Sequence, residues 1–176
     1  IIVEYSEFQC PYCSRAVKNV LPLFEMEKYK GKIVWAVRDF PLSFHDRAKP
    51  AAIAAKCSAY QNKYWQMYHK LFDNQRKLSD TDFETYAKEI GLDQTKFNSC
   101  LKNSKEAKAA IDKNFETGRK LGVTGTPAFF INGRRMSGAL PTAEFIKIIE
   151  DNLDNSDLML EKLNKFAKEL SQATGN

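Results

Sequence analysis

The chain has 176 residues, 43% of them hydrophobic and 28% charged, the make-up of an ordinary globular protein able to bury a full core in one domain, or in one domain carrying an insertion. Its net charge of +5 comes from Lys and Arg interspersed with Asp and Glu, which gives no support to nucleic-acid binding. No apolar run approaches the roughly 18 to 20 residues of a membrane span, and because the chain begins inside a strand-like run, any export signal is expected to have been removed or to lie outside it.

Residues 1–8 read as a buried strand opened by the β-branched run Ile1-Ile2-Val3. Cys10-Pro11-Tyr12-Cys13 follows and leads into a helix over 14–29, with Val17, Val20, Leu21 and Phe24 at three- to four-residue steps and a kink expected at Pro22. Strand composition returns over 32–40 and stops at Pro41. From 46 to 121 no strand is evident. That segment reads as four or five helices punctuated by Ser79-Asp80, Gly91-Leu92-Asp93 and Gly122, with a tightly packed run at Ala51, Ala52, Ala54 and Ala55 and an aromatic face from Tyr64 to Phe72 that belongs in a core. Ala128–Ile131, the turn pair Asn132-Gly133 and Arg134–Ser137 form a hairpin. Pro141-Thr142 then introduces a helix to about residue 153 with Thr142 as cap, and a further amphipathic helix spans 156–172.

The order βαβ, helical block, ββα defines the fold class as α/β: a thioredoxin-like core (1–45 and 122–154) with an all-helical insertion (46–121), followed by a C-terminal amphipathic helix and tail (155–176). A Cys-x-x-Cys pair on a helix's first turn sets its first sulfur over unpaired N–H groups and the positive end of the helix dipole, which favours the thiolate. Its second sulfur is within reach to close a disulfide. Pro11 suits an early helical position, having no N–H to leave unpaired. The rival readings are a structural disulfide, which gains little across so short a loop, and half of a zinc site, for which His45 and His69 have no ligand-like spacing to a further Cys pair. The other two cysteines, Cys57 and Cys100, stand on separate helix-patterned segments. They either pair across the fold, as in an oxidising compartment, or remain two buried thiols.

The stretch Glu4-Tyr5-Ser6-Glu7-Phe8-Gln9-Cys10-Pro11-Tyr12-Cys13, with Asp39-Phe40-Pro41-Leu42, the Ala/Cys/Tyr/Trp-rich helices from 51 to 72, and Gly125-Thr126-Pro127-Ala128-Phe129-Phe130-Ile131-Asn132-Gly133, resembles the DsbA-like family of bacterial extracytoplasmic thiol:disulfide oxidoreductases. Glutaredoxins share a similar tetrapeptide but lack the large helical insertion. The resemblance implies Cys10 as the exposed nucleophile, Cys13 as its buried partner, Thr126-Pro127 as a cis-proline loop facing the thiols, and Tyr12 beside it at the substrate-facing surface. It implies Glu4 as a buried carboxylate with a raised pKa that exchanges protons with Cys13, Glu7 being the rival. Cys57 and Cys100 resemble the additional cysteine pair of some members. Arg15 is read as a solvated helix residue or a second aid to the Cys10 thiolate, and His45 as a residue near the site. Tyr12 replaces the histidine that DsbA proper carries between its cysteines, which predicts a less extreme potential.

The implied function is extracytoplasmic: introduction of disulfides into reduced, exported proteins, with reoxidation by a quinone-linked membrane partner of the DsbB or vitamin K epoxide reductase type and no cofactor or metal beyond the redox-active disulfide. The alternative is an isomerase or reductase kept reduced, dimerising through the helix at 156–172. A third reading, a thiol-based metal carrier or interaction module, is at odds with retention of Cys10, Cys13 and Thr126-Pro127.

Overall fold

The structure is a computed structural model and describes residues 1–153. Strands β1 (Ile2–Ser6), β2 (Trp35–Asp39), β3 (Ala128–Ile131) and β4 (Arg134–Ser137) form one sheet in the order β2-β1-β3-β4. β1 and β2 run parallel, joined by helix α1 (Pro11–Glu25), the long crossover that a parallel pair requires; β3 is antiparallel to both its neighbours. The expected strand over 32–40 is shorter because its ladder begins at Ile2–Trp35 and ends at Ser6–Asp39, the length of β1. The tight β3–β4 turn places Asn132 at φ 46° and Gly133 at φ 87°, the left-handed pair that a two-residue hairpin demands.

The expected helix over 14–29 starts earlier, at Pro11. The Cys10 carbonyl already accepts from the N–H of Cys13 (3.1 Å) and Ser14 (3.3 Å), so Cys10 is the N-cap. It ends at Glu25, since Met26 turns extended at ψ 123°, and it continues through Pro22 without a break.

Five helices fill the segment after β2: α2 (Ala48–Ala59), α3 (Tyr64–Asp73), α4 (Asp80–Glu89), α5 (Gln94–Lys102) and α6 (Lys105–Lys120). α2 buries eight residues, six of them alanine or cysteine, which lets its neighbours approach on several sides. Ser79 caps α4 through a reciprocal box, its hydroxyl accepting from Asp82 N (3.2 Å) while Asp82 accepts from Ser79 N (2.9 Å). Cys57 on α2 and Cys100 on α5 are joined by a disulfide with Cα atoms 5.8 Å apart.

Strand alternation sorts β1 into two faces. Val3 and Tyr5 face a cluster of Phe40, Phe115, Val123 and Phe130. α6 lies so close there that a Cβ on Gly118 would come within 2.8 Å of the Tyr5 and Phe40 rings, a spacing only glycine allows. Ile2, Glu4 and Ser6 face the other way, and Glu4 meets Trp35 and Tyr68. On α3, the aromatic run is core as expected: Tyr68 is fully buried, edge-on to Phe8, Trp35 and Phe72.

The core strands and the helical segment share one cluster, in which Phe8, Cys13 and Val17 pack with Ala51, Tyr68, Phe72 and Phe97. Both therefore fall in a single compact unit, Ile1–Leu140. A second unit begins at Pro141, and residues 142–153 are helical with Thr142 as the first helical residue rather than the cap. The helix expected over 156–172 lies outside the described residues. No helix among the described residues is long and apolar enough to cross a membrane.

Candidate active site

Leaving β1, residues 7–9 carry the chain to the start of α1, where Cys10 and Cys13 stand as free thiols. The expectation of an exposed Cys10 is corrected: it is only 3% exposed, and Cys13 is fully buried. The Thr126 carbonyl covers the Cys10 sulfur at 3.5 Å, and Gln75, in the turn between α3 and α4, donates to the carbonyls of Phe8 (2.9 Å) and Cys10 (2.8 Å). The Thr126–Pro127 peptide is cis. Among the described residues, buried Thr126 Oγ1 has no partner other than the sulfurs on which it acts.

This surrounding splits the two thiols. Cys10 falls from the ordinary 9.0 to about 5, chiefly because the Cys13 thiol donates to its thiolate, with the Thr126 hydroxyl and the N–H groups of Cys13 and Tyr12 adding to this against the opposing pull of burial. Cys13 is pushed well above the usual thiol range, first by burial and then by the Cys10 thiolate. One sulfur is thus a thiolate at neutral pH beside a thiol that holds its proton. Tyr12 is 56% exposed, with the exposed Arg15 guanidinium 5.3 Å over its ring. Arg15 is exposed and stands over the Tyr12 ring, in keeping with the solvated reading.

Glu4 and Glu7 are both buried, in different settings. Glu4 accepts from Trp35 Nε1 (3.1 Å) and Tyr68 OH (3.2 Å) on Oε2, while Oε1 has no partner among the described residues. Burial outweighs these bonds and pushes its carboxyl up to about 7. The Ser6 hydroxyl, on the same strand face, lowers both the Glu4 carboxyl and the Cys13 thiol against the rise that burial imposes. Glu7 contacts His45 and accepts from Gln9 N (2.6 Å), and burial raises it too.

Among the expected site residues the fold brings together Cys10, Cys13 and Thr126 of the cis Thr126–Pro127 peptide, with Tyr12 at the surface, while Glu4 is buried against Trp35 and Tyr68. Cys57 and Cys100 are joined elsewhere, between α2 and α5. Sequence spacing gave no sign of Gln75, 65 positions from Cys10, or of Gln9, whose side chain donates to Asp46 (3.2 Å) and accepts from Arg47 N (2.8 Å). Among the described residues no cluster of three or more His, Cys, Asp or Glu is placed to hold a metal ion.

A family model described as thioredoxin matches residues 1–151. A thioredoxin-like oxidoreductase from Silicibacter pomeroyi DSS-3 superimposes with a TM-score of 0.77 at 25% identity, covering 87% of this chain and 86% of that one. The thiol-disulfide exchange protein alpha-DsbA2 of Wolbachia pipientis gives 0.76 at 25% identity, covering 85% and 80%. A curated relative, the Na(+)/H(+) antiporter NhaA 1 of Mycolicibacterium vanbaalenii, is 33% identical over 153 residues, 85% of this chain but 24% of that protein. The chain therefore spans about a quarter of the length of such curated relatives.

Proposed function

The chain belongs to the Thioredoxin_4 family, and we propose that it is a DsbA-like thiol–disulfide oxidoreductase working in the oxidising direction, passing the Cys10–Cys13 disulfide to reduced, exported proteins. The observation that carries this is the split between the thiols: a reduced form whose Cys10 is held as a thiolate is favoured over the disulfide, so the disulfide is readily given up.

In the forward reaction a substrate thiolate attacks Cys10 of the oxidised protein. The Cys10–Cys13 bond breaks, a substrate–Cys10 bond forms, and Cys13 leaves as a thiolate that takes up a proton. Glu4, whose carboxyl sits at about 7 and accepts from Tyr68 in the cluster that also holds Cys13, supplies that proton near neutrality. A second substrate thiolate then attacks the substrate sulfur of the mixed disulfide and releases Cys10, which needs no proton because its thiolate is stable. Two electrons have moved from substrate to protein, and the redox-active pair itself carries them. Tyr12, Thr126 and Pro127 border the sulfur and serve as the substrate-binding edge.

The Cys57–Cys100 bond supports an oxidising, extracytoplasmic location. Return to the disulfide form is assigned to a quinone-linked membrane oxidant of the DsbB- or VKOR-like type. The test is direct: the oxidised protein is mixed with a reduced, unfolded model protein and disulfides in that protein are counted by mass spectrometry. Stoichiometric transfer supports the reading. Failure to transfer, with rapid reduction of substrate disulfides by the dithiol form, would replace the oxidase by a reductase or isomerase.

A further inference from the structure

The Glu7 side chain is fully buried, and its only imidazole neighbour, His45, is 20% exposed in the loop between β2 and α2. The two are in direct contact through His45 Nδ1 and Glu7 Oε1. The other Glu7 oxygen accepts from Gln9 N, the residue next to Cys10. Gln9 reinforces the junction, donating to Asp46 Oδ1 and accepting from Arg47 N. Three contacts thus fasten residues 7–9 to residues 45–47, with a carboxylate and an imidazole among them. A buried carboxylate this near a sulfur that must carry negative charge opposes the thiolate unless a cation stands beside it.

We propose that Glu7 and His45 form a charge-compensating pair that governs the ionisation of Cys10: with His45 protonated the pair is neutral and the Cys10 thiolate is tolerated, and with His45 neutral the Glu7 carboxylate stands alone and opposes it. Neither is a catalytic residue; both act through Cys10. This rests on the proposed thiol chemistry of Cys10 and adds to it a residue pair supplied from outside the Cys-x-x-Cys segment.

Among the leading influences on Glu7, His45 lowers its carboxyl and the Cys10 thiolate raises it. His45 lines an open cavity of about 310 Å³ whose other charged residues are Asp46, Lys49 and Asp112. Lys49 of α2 and Asp112 of α6 neutralise each other at 2.6 Å, and Asp46 is engaged by Gln9. The Arg47 guanidinium turns away to the Leu78 carbonyl and Asp80. From α1 the facing groups are Cys10 and Cys13. His45 therefore reaches solvent through the cavity while its ring contacts the buried carboxylate.

The test follows Cys10 ionisation in the reduced full chain, by thiolate ultraviolet absorbance and alkylation rate across pH, in the wild type and in His45→Gln, His45→Lys, Glu7→Gln and Glu7→Gln/His45→Gln. His45→Gln is expected to raise the Cys10 midpoint by about one pH unit, a roughly tenfold loss of thiolate below the midpoint. The double variant, which also removes the carboxylate, returns it to the wild-type value, as does His45→Lys, which restores a cation. An unchanged midpoint in His45→Gln overturns the proposal, and so does an equal rise in the double variant, which would mark a merely structural role. Should the double variant fail to fold, equal midpoints for His45→Lys and His45→Gln overturn it instead. The titration uses no substrate protein, so an enzyme that failed to oxidise dithiols would contradict the proposed function without altering this readout.

Discussion

The chain holds two cysteine pairs whose settings are opposite. Cys57 and Cys100 come from two helices, 43 positions apart, and are joined across the helical packing. Cys10 and Cys13 share one helical turn and stand reduced, one favoured as a thiolate and the other as a thiol. Cys10, Cys13 and Cys57 are each at most 3% exposed, and Cys100 is partly buried. What differs is polarity at the sulfur. Cys10 has a helix start, a neighbouring thiol and the Thr126 hydroxyl to stabilise its charge, and that asymmetry converts a disulfide from a brace into a reagent.

Breaking each pair separates the two roles. Cys10→Ser is expected to abolish disulfide transfer to the model protein, whereas Cys13→Ala traps mixed disulfides on Cys10, visible as a mass increase in non-reducing mass spectrometry. The double variant Cys57→Ala/Cys100→Ala keeps the exchange rate but loses stability. Removing a cross-link over that separation costs about 4 kcal/mol in the chain-entropy model, read from the urea midpoint. Loss of exchange in this variant, with the fold intact by circular dichroism, would merge the two roles.

Glu4 sharpens the contrast through pH. Its folded carboxyl titrates at about 7 against an unfolded 4.5, so its contribution to stability is fully present below pH 4.5 and lost as pH rises through about 7. Glu4→Gln is thus expected to be the more stable protein above pH 7, by at most about 3 kcal/mol, and to slow the step in which Cys13 takes up its proton. Cys10 has the opposite sign. Its pKa is depressed, so the reduced form gains stability from about pH 5 upward toward 9.0, and the oxidised form, with no thiol to titrate, does not. Thermal melts of both forms across pH will show whether the gap between them widens in that direction. The smallest effect is expected from Gln75→Ala, which frees the carbonyls of Phe8 and Cys10: about 1 kcal/mol per lost hydrogen bond, with a modest fall in exchange rate.

Much of this was legible in the chain itself. Periodicity placed both strands of the hairpin at their observed residues, and the long stretch without strand signal matched the five helices between β2 and β3. Cys10 and Cys13 were marked by their spacing and by Pro11. Helix and strand ends were less so, because the pairing partner set the length of β2 and the Cys10 carbonyl set the start of α1. The covering of Cys10 was invisible because it comes from Thr126 and Gln75, which only the fold brings to residue 10. The choice between Glu4 and Glu7 depended on which strand face meets the Tyr68 hydroxyl and which meets the loop at His45, and local sequence carries neither fact.

The most direct test of the central claim is the equilibrium potential of the Cys10–Cys13 pair in glutathione buffers, with Cys57 and Cys100 followed separately by alkylation and mass spectrometry. The account predicts a value more positive than about −200 mV, on the oxidising side of glutathione, with the Cys57–Cys100 bond intact throughout. A value near the roughly −270 mV of thioredoxin would contradict it.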